Sequence, residues 1–441
     1  MAPPIVTLPW GREQLQIRLP DDWRLPEVLV PRAVPAVPDV SAEVHRALAR
    51  PCGSSGLATL AGPGTRIALV IDDASRPTPV AQLLPAVIEE IERGGACRED
   101  ITVVTALGVH RPMTEHELAL RVGPALLATL AWRNHDCDTP AELVPLGTTS
   151  RGTAVLLNRT VAEAGLVVSI GCIEPHVIAS FGGGCKNLVP GVAGRATIAS
   201  NHSLNCGPDT FAMVGQPIER NPMRLDLEEA ARMVRAPVFI INAVLNAALG
   251  VVKVVAGDPV RAHRAGVEVS AGMCGVAVAE LADVVITNSH PMDQDLRQGL
   301  KALANAVVAV RPGGVVLTLA RAEEGSGVLG LAGSRIPLGR GALKLLAPML
   351  LRLVPHIRLH GMGEEDRFFL YFALQAMRRA SLLIYAPAVP SEVRARLPFV
   401  EFVDSPEAGI ERAHAIAGAG ARVLVFPDGG VTYPVLGPAV S

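Results

Sequence analysis

The segment Arg66 to Asp72, RIALVID, is the strongest constraint on how this chain folds. It is short, β-branched and apolar throughout, the pattern of a parallel strand buried on both faces. Residues Pro79–Arg93 then place Leu83, Leu84, Val87, Ile88 and Ile91 at helical spacing and stop at Gly94-Gly95, a helix-ending signal. ITVVTALG, from Ile101, is a second strand of the first kind. Strand, amphipathic helix and strand in that order make a βαβ unit, which crosses over right-handed.

The alternation continues to the end of the chain. LVVSIG (166–171) reads as a strand followed by a long glycine-rich loop, and ATIASNH (196–202) opens a helix. Val238–Val255 is the longest apolar stretch, but Asn242, Asn246, Gly250 and Lys253 interrupt it. A membrane span would bury those polar groups unpaired, so the stretch reads as two strands joined near Ala248–Gly250. ADVVITN, GGVVLTLA, ASLLIYA and ARVLVF are further strands, with helices predicted over 295–307 and 406–417. Ahead of them all, WGREQLQIRLP is expected as an edge strand and Val40–Ala49 as a short helix.

The expected architecture is two α/β domains with largely parallel sheets and the active site in the cleft between them. Residues 1–268 would form the first domain and 278–441 the second, which closes over the site. The 441 residues suit two or three domains, and an apolar content of 49% provides for large cores.

Charge narrows the function. There are 40 basic and 42 acidic residues, a balance that argues against nucleic-acid binding, which needs a clustered Lys/Arg surplus. No membrane partner is expected either. The seven cysteines are odd in number and form no Cys-x-x-Cys, which fits a reducing cytosol better than a disulfide framework. The opening residues MAPPIVTLPW lack the basic start and apolar core of a signal peptide.

Ligands of open α/β sheets bind beyond the carboxyl ends of the strands. Polar residues crowd there at four places in this sequence. The first is Asp72-Asp73 with Arg76-Pro77. The second is Gly108-Val109-His110-Arg111-Pro112. The third runs from Glu174-Pro175-His176 through Gly182-Gly183-Gly184-Cys185-Lys186 to Asn201-His202. The fourth is Asp293 to Lys301. Taken singly, each has a plain structural reading: an aspartate as helix cap, Arg76 as its partner, Cys185 as a packed thiol. The glycines before Lys186 do not complete a phosphate loop, and His176, Lys186 and His202 lack zinc spacing. His116, His135, His263, His290, His356, His360 and His414 lack comparable surroundings. Together, however, three histidines, a lysine and an arginine converge on strand-end loops.

In this combination the sequence resembles the nickel-pincer lactate racemase family. The resemblance rests on Asp73-x-x-Arg76-Pro77, Gly108-x-His110-Arg111-Pro112, Pro175-His176, Gly183-Gly184-x-Lys186-x-x-x-Pro190-Gly191, Asn201-His202 and Gln298-x-x-Lys301. It implies a racemase or epimerase of a 2-hydroxy acid. The implied cofactor is a nickel-pincer nucleotide, a pyridinium-3-thioamide-5-thiocarboxylic acid mononucleotide that carries the nickel (Ni). Lys186 would tether it and His202 would complete the metal's ligands. His110 and His176 would be the acid/base pair, and Arg76 would hold the substrate carboxylate with Asp73 beside it. Gln298 and Lys301 would face cofactor and substrate. Proteins that make the cofactor would be transient partners. Two positions depart from the pattern: Gly182 stands where the family usually has Ser, and Arg297 where it often has Tyr. Arg297 would meet a second anionic or polar group on the substrate.

The chemistry explains these residue types. Taking hydrogen from the carbon of a 2-hydroxy acid as a proton would leave a dianion-like enediolate. Taking it as a hydride leaves a planar 2-keto acid but needs an acceptor that no side chain offers. Imidazoles suit the accompanying proton step near neutral pH, one for each face and exchanging roles between enantiomers. The arginine fork suits a carboxylate, and sulfur with imidazole suits nickel. Lys186 must be neutral to be acylated, and burial of its loop would lower its pKa. The glycines before it would let a flat cofactor approach the backbone. The competing readings are a non-racemising oxidoreductase or lyase, and a nickel or small-acid binding protein without turnover.

Overall fold

A computed structural model describes residues 3–207, 214–215, 218–327, 336, 338–355 and 364–437. His356 and His360 lie outside the described residues. Two six-stranded sheets organise the chain, each flanked by helices in an α/β fold.

The first sheet runs Val251–Gly257, Val238–Leu245, Leu166–Ile173, Ile67–Asp72, Ile101–Ala106 and Ala131–Asn134 across its width. All neighbours are parallel except the first pair, the antiparallel hairpin that the interrupted apolar stretch predicted. Every residue of Ile67–Asp72 and of Leu166–Ile173 is buried, as unbroken apolar runs require. Helix Val80–Arg93 lays Leu83, Leu84, Val87, Ile88 and Ile91 onto one face. The chain builds outward from Ile67–Asp72 on one side and then returns to its other side with Leu166–Ile173. That reversal opens a crevice at the carboxyl ends of these two strands.

The second sheet is parallel throughout: Glu401–Phe402, Ser381–Tyr385, Val310–Leu319, Ala282–Asn288, Val423–Phe426 and Glu27–Val28. Helix Leu296–Ala306 follows its central strand Ala282–Asn288 and is capped by Asp295, whose carboxylate accepts from the Gln298 N–H at 2.7 Å. Ser405 caps Pro406–Ala417 in the same way.

The first thirty residues differ from the expectation that they belong with the first sheet. WGREQLQIRLP is part of an antiparallel hairpin, Ile5–Trp10 with Glu13–Arg18. Its Leu8 and Ile17 pack with Val284, Ile286 and Leu317 of the second sheet, and Glu27–Val28 pairs at that sheet's edge. Alternating burial on the hairpin supplies one apolar face, and the nearest unfilled apolar surface belongs to the later strands. Near the expected boundary, helix Arg261–Cys274 packs on the first sheet, while Gly275–Val278 pairs with Tyr433–Leu436 near the carboxyl end of the chain.

Candidate active site

Loops from both halves line one cleft with about 1110 Å³ of non-atom space, its open mouth included. Asp72, Asp73 and Arg76 come from the loop after Ile67–Asp72, and His110 from the loop after Ile101–Ala106. Glu174, His176, Lys186 and His202 follow Leu166–Ile173. Helix Leu296–Ala306 contributes Arg297, Gln298 and Lys301 from the other half, and helix Glu364–Arg379 contributes Phe369. Asp73, Arg76, His110, His176, Lys186, His202, Arg297, Gln298 and Lys301 therefore meet in one place, while Arg111 turns away to Glu117 and Asn201 to Asp226. That meeting follows from topology, because the carboxyl ends of the two central strands and of Ala282–Asn288 face the same space.

Each polar group has a specific partner. The Asp73 carboxylate pairs with His110 Nδ1 and accepts from Ser75 Oγ at 2.5 Å. Burial alone would raise the Asp73 pKa, but His110, Arg76 and Ser75 outweigh it and hold the carboxyl well below its usual range. A carboxylate can only accept, so His110 donates from Nδ1 and its Nε2 is left for the cleft. Asp72 is committed elsewhere, to Arg121 and Thr78. Burial nevertheless pushes its carboxyl above the ordinary value.

His176 is arranged the opposite way. Its Nδ1 accepts from the backbone N–H groups of Ile178 at 3.2 Å and Ala179 at 3.3 Å. A neutral ring in this position carries its hydrogen on Nε2. Burial, reinforced by Lys186, Arg76, Lys301 and Arg224, holds the imidazole well below its usual pKa. The two histidines are thus unequal, one an acceptor at Nε2 and the other a donor. For His176 to act as acceptor, its Nδ1 would have to turn away from two N–H groups.

Lys186 is held well below the ordinary lysine pKa by burial first and then by Arg76, Arg224 and Lys301. A neutral amine is the nucleophilic form, the one in which a lysine can be acylated. His202 donates Nδ1–H to the Ile198 carbonyl at 2.8 Å, which leaves Nε2 unprotonated. Burial, with Lys186 nearby, draws its pKa to about 4. A neutral imidazole whose other nitrogen is fixed by a carbonyl suits a metal. Among the described residues no three His, Cys, Asp or Glu side chains come together as a metal site.

The glycines are also required for a reason that the sequence did not show. A Cβ on Gly183 would lie 2.7 Å from Asn242 Oδ1 and 2.9 Å from the Cys172 carbonyl, and one on Gly184 would lie 2.9 Å from the His263 ring. Both have positive φ. The floor beneath the loop by itself demands glycine at both positions. The same floor holds residues that the sequence alone did not single out. Arg224 donates to the carbonyls of Gly183 at 3.2 Å, Ala179 at 3.3 Å and Phe181. His263 donates to the Gly182 carbonyl at 2.8 Å, and Asn242 accepts from the Gly184 N–H at 2.7 Å. Cys185 is a packed thiol that burial pushes up to about 12.

Glu174 also went unassigned. Its Oε1 lies 3.5 Å from Arg76 and 3.4 Å from Lys301, bridging the two halves of the chain. Its Oε2 is buried without a hydrogen-bond partner, as is Gln298 Oε1. Both residues line the cleft, so these two buried acceptors are placed to be completed by a ligand.

Comparison with known proteins agrees with this geometry. A profile of the lactate racemase N-terminal domain matches residues 10–212. The lactate racemase of Thermoanaerobacterium thermosaccharolyticum is 31% identical over 326 residues, covering 73% of this chain and 75% of that protein. The lactate racemase of Lactiplantibacillus plantarum is 27% identical over 391 residues, covering 88% and 89%. The lactate racemase apoprotein structure from T. thermosaccharolyticum superposes with a TM-score of 0.84 at 26% identity, covering 98% of this chain and all of that one. A protein of Thermotoga maritima, 15% identical with a TM-score of 0.66 and covering 86% and 96%, shares the fold alone. With its strand-end residues gathered in one cleft and relatives matched along most of its length, the chain belongs to the lactate racemase family, a family of isomerases.

Proposed function

We propose that this protein is a racemase or epimerase of a 2-hydroxy acid and works with a nickel-pincer nucleotide tethered through Lys186. The observation that carries the proposal is the convergence of His110, His176, Arg76, Lys186 and His202 on one cleft. The residues present fit the cofactor: Lys186 offers a neutral amine, His202 a free Nε2, and Glu174 and Gln298 unpaired acceptors. When bound, the cofactor supplies the hydride acceptor that side chains lack.

The chain's own groups then have distinct tasks. Arg76 binds the substrate carboxylate through its fork, assisted by Lys301; its long 3.5 Å contact to Glu174 leaves donors available. His110, oriented by Asp73, takes the hydroxyl proton at Nε2. His176 presents Nε2–H from the other element and returns a proton to the oxygen. The negative charge of the substrate works against the cations that, after burial, depress His176, and the ring would turn Nδ1 away from the two N–H groups to take up the second proton. The reading carries with it transient contact with cofactor-synthesis proteins and residence in a reducing cytosol.

The test is co-expression with cofactor-synthesis proteins, followed by intact-protein mass and chiral separation of a single-enantiomer acid. Wild type, His110→Ala and His176→Ala should all gain the cofactor mass, and Lys186→Ala should not. Inversion should fall by about 100-fold or more in each histidine variant, as expected on loss of a positioned acid or base. An unchanged wild-type mass overturns the proposal.

A further inference from the structure

We infer that Arg297 reads a second carboxylate, so that the substrate is a four-carbon 2-hydroxy diacid rather than lactate. The inference rests on the racemase reading above and extends it to the identity of the acid.

Arg297 lies in the first turn of helix Leu296–Ala306 and lines the cleft. A cation there opposes the helix dipole, whose positive end it shares. Its placement therefore works against the helix and calls for an anion from elsewhere. Among the described residues no carboxylate lies within ion-pair reach. Its guanidinium instead packs over the Phe369 ring, 6.0 Å from the centroid, which holds it at the cleft wall. The other cleft arginine, Arg76, has a carboxylate partner.

Charge in the cleft points the same way. Arg76, Lys301 and Arg297 are three cations, and Glu174 is the one carboxylate that contacts any of them. Asp73 is engaged with His110 and Asp72 with Arg121. Two positive charges are left over; a monoacid brings a single negative one, and the cofactor's phosphate is the other anion, which the intact-mass measurement tests against a second substrate carboxylate. Arg297 and Lys301 stand four residues apart on one helix face, a rise of about 6 Å. Arg76 and Lys301 can take the carboxylate next to the hydroxyl while Arg297 takes the far one. A neutral substrate tail would leave Arg297 desolvated without a partner.

The experiment uses cofactor-loaded protein with single enantiomers of lactate, 2-hydroxybutyrate and malate, read by chiral separation, with intact mass recorded for every variant. Malate should exceed lactate in kcat/KM by about 100-fold, the scale of one charge-assisted hydrogen bond. In Arg297→Gln that ratio should collapse towards one, while the added cofactor mass persists. Equal use of lactate and malate by the wild type, or an unchanged ratio in Arg297→Gln, overturns the inference and leaves the racemase reading intact. Loss of the added mass in Arg297→Gln would assign the arginine to the anionic phosphate of the cofactor and also overturns it. Inversion of none of the three acids by loaded protein overturns the inference, whereas the racemase reading falls only with an unchanged wild-type mass.

Discussion

At the scale of single residues, the loop before Lys186 shows how little freedom the site has. Gly183 has φ of +72°, and the space its Cβ would need is taken by Asn242 and the Cys172 carbonyl. Gly183→Ala should therefore destabilise the protein by about 2–4 kcal/mol, combining left-handed backbone strain with overpacking. Urea unfolding measures this, and a change below about 0.5 kcal/mol would show that the floor yields. The histidine pair makes a related point. Both rings line one cleft, yet a carboxylate at one Nδ1 and amide N–H groups at the other give them opposite tautomers. Residue type alone would have made them interchangeable.

At the scale of elements, helix Pro222–Ala231 supports the lysine loop through one side chain. Arg224 is fully buried, and its guanidinium is satisfied by carbonyls of residues 179, 181 and 183. Burial draws even this guanidinium down to about 10. Arg224→Met would strip three carbonyls of their donor, and the expected loss is about 3–5 kcal/mol. Arg224→Lys, which keeps the charge but not the fork, should lose less. Chemical denaturation of both variants checks the order, and equal stability of Arg224→Met and wild type would refute it. On the opposite wall, helix Leu296–Ala306 brings Arg297, Gln298 and Lys301 to the cleft from its first two turns, so on the proposed reading one rigid element would read the substrate's far end and assist Arg76.

For the molecule as a whole, buried neutral histidines set the response to acid. His135 is lowered by burial against its bond to the Ala193 carbonyl, and His263 well below its usual value by burial and Arg224. A folded value below the unfolded value near 6.5 means that the unfolded chain takes up protons first. The stability that these histidines carry should therefore be full above about pH 6.5 and be lost as pH drops below it. Asp73, held below its usual range, adds a further loss only at much lower pH. Thermal unfolding between pH 8 and 5 should show a midpoint that falls throughout, gently at first because the unfolded chain also protonates Lys186, and more steeply below about pH 6.5. His263→Gln should make the decline shallower; a midpoint that does not fall on acidification would count against this account.

Strands and helices were legible because their signals lie among neighbours in the chain. RIALVID, the Leu83–Ile91 face, the hairpin break near Gly250 and the Ser405 cap all appear where local pattern placed them. The strand-end histidines, Lys186 and Arg76 were legible for the same reason, since each follows a strand. Their partners were not. Glu174 meets Lys301 across 127 positions, His263 reaches Gly182 across 81, and Arg224 reaches Gly183 across 41. The first strands pack on the last sheet for an equally remote reason. Periodicity and turn chemistry act over a few residues, so contiguous sequence decides them. Ion pairs, buried carbonyl donors and the proton state of an imidazole depend on which surfaces meet when two sheets close on one cleft, and that is settled only in three dimensions.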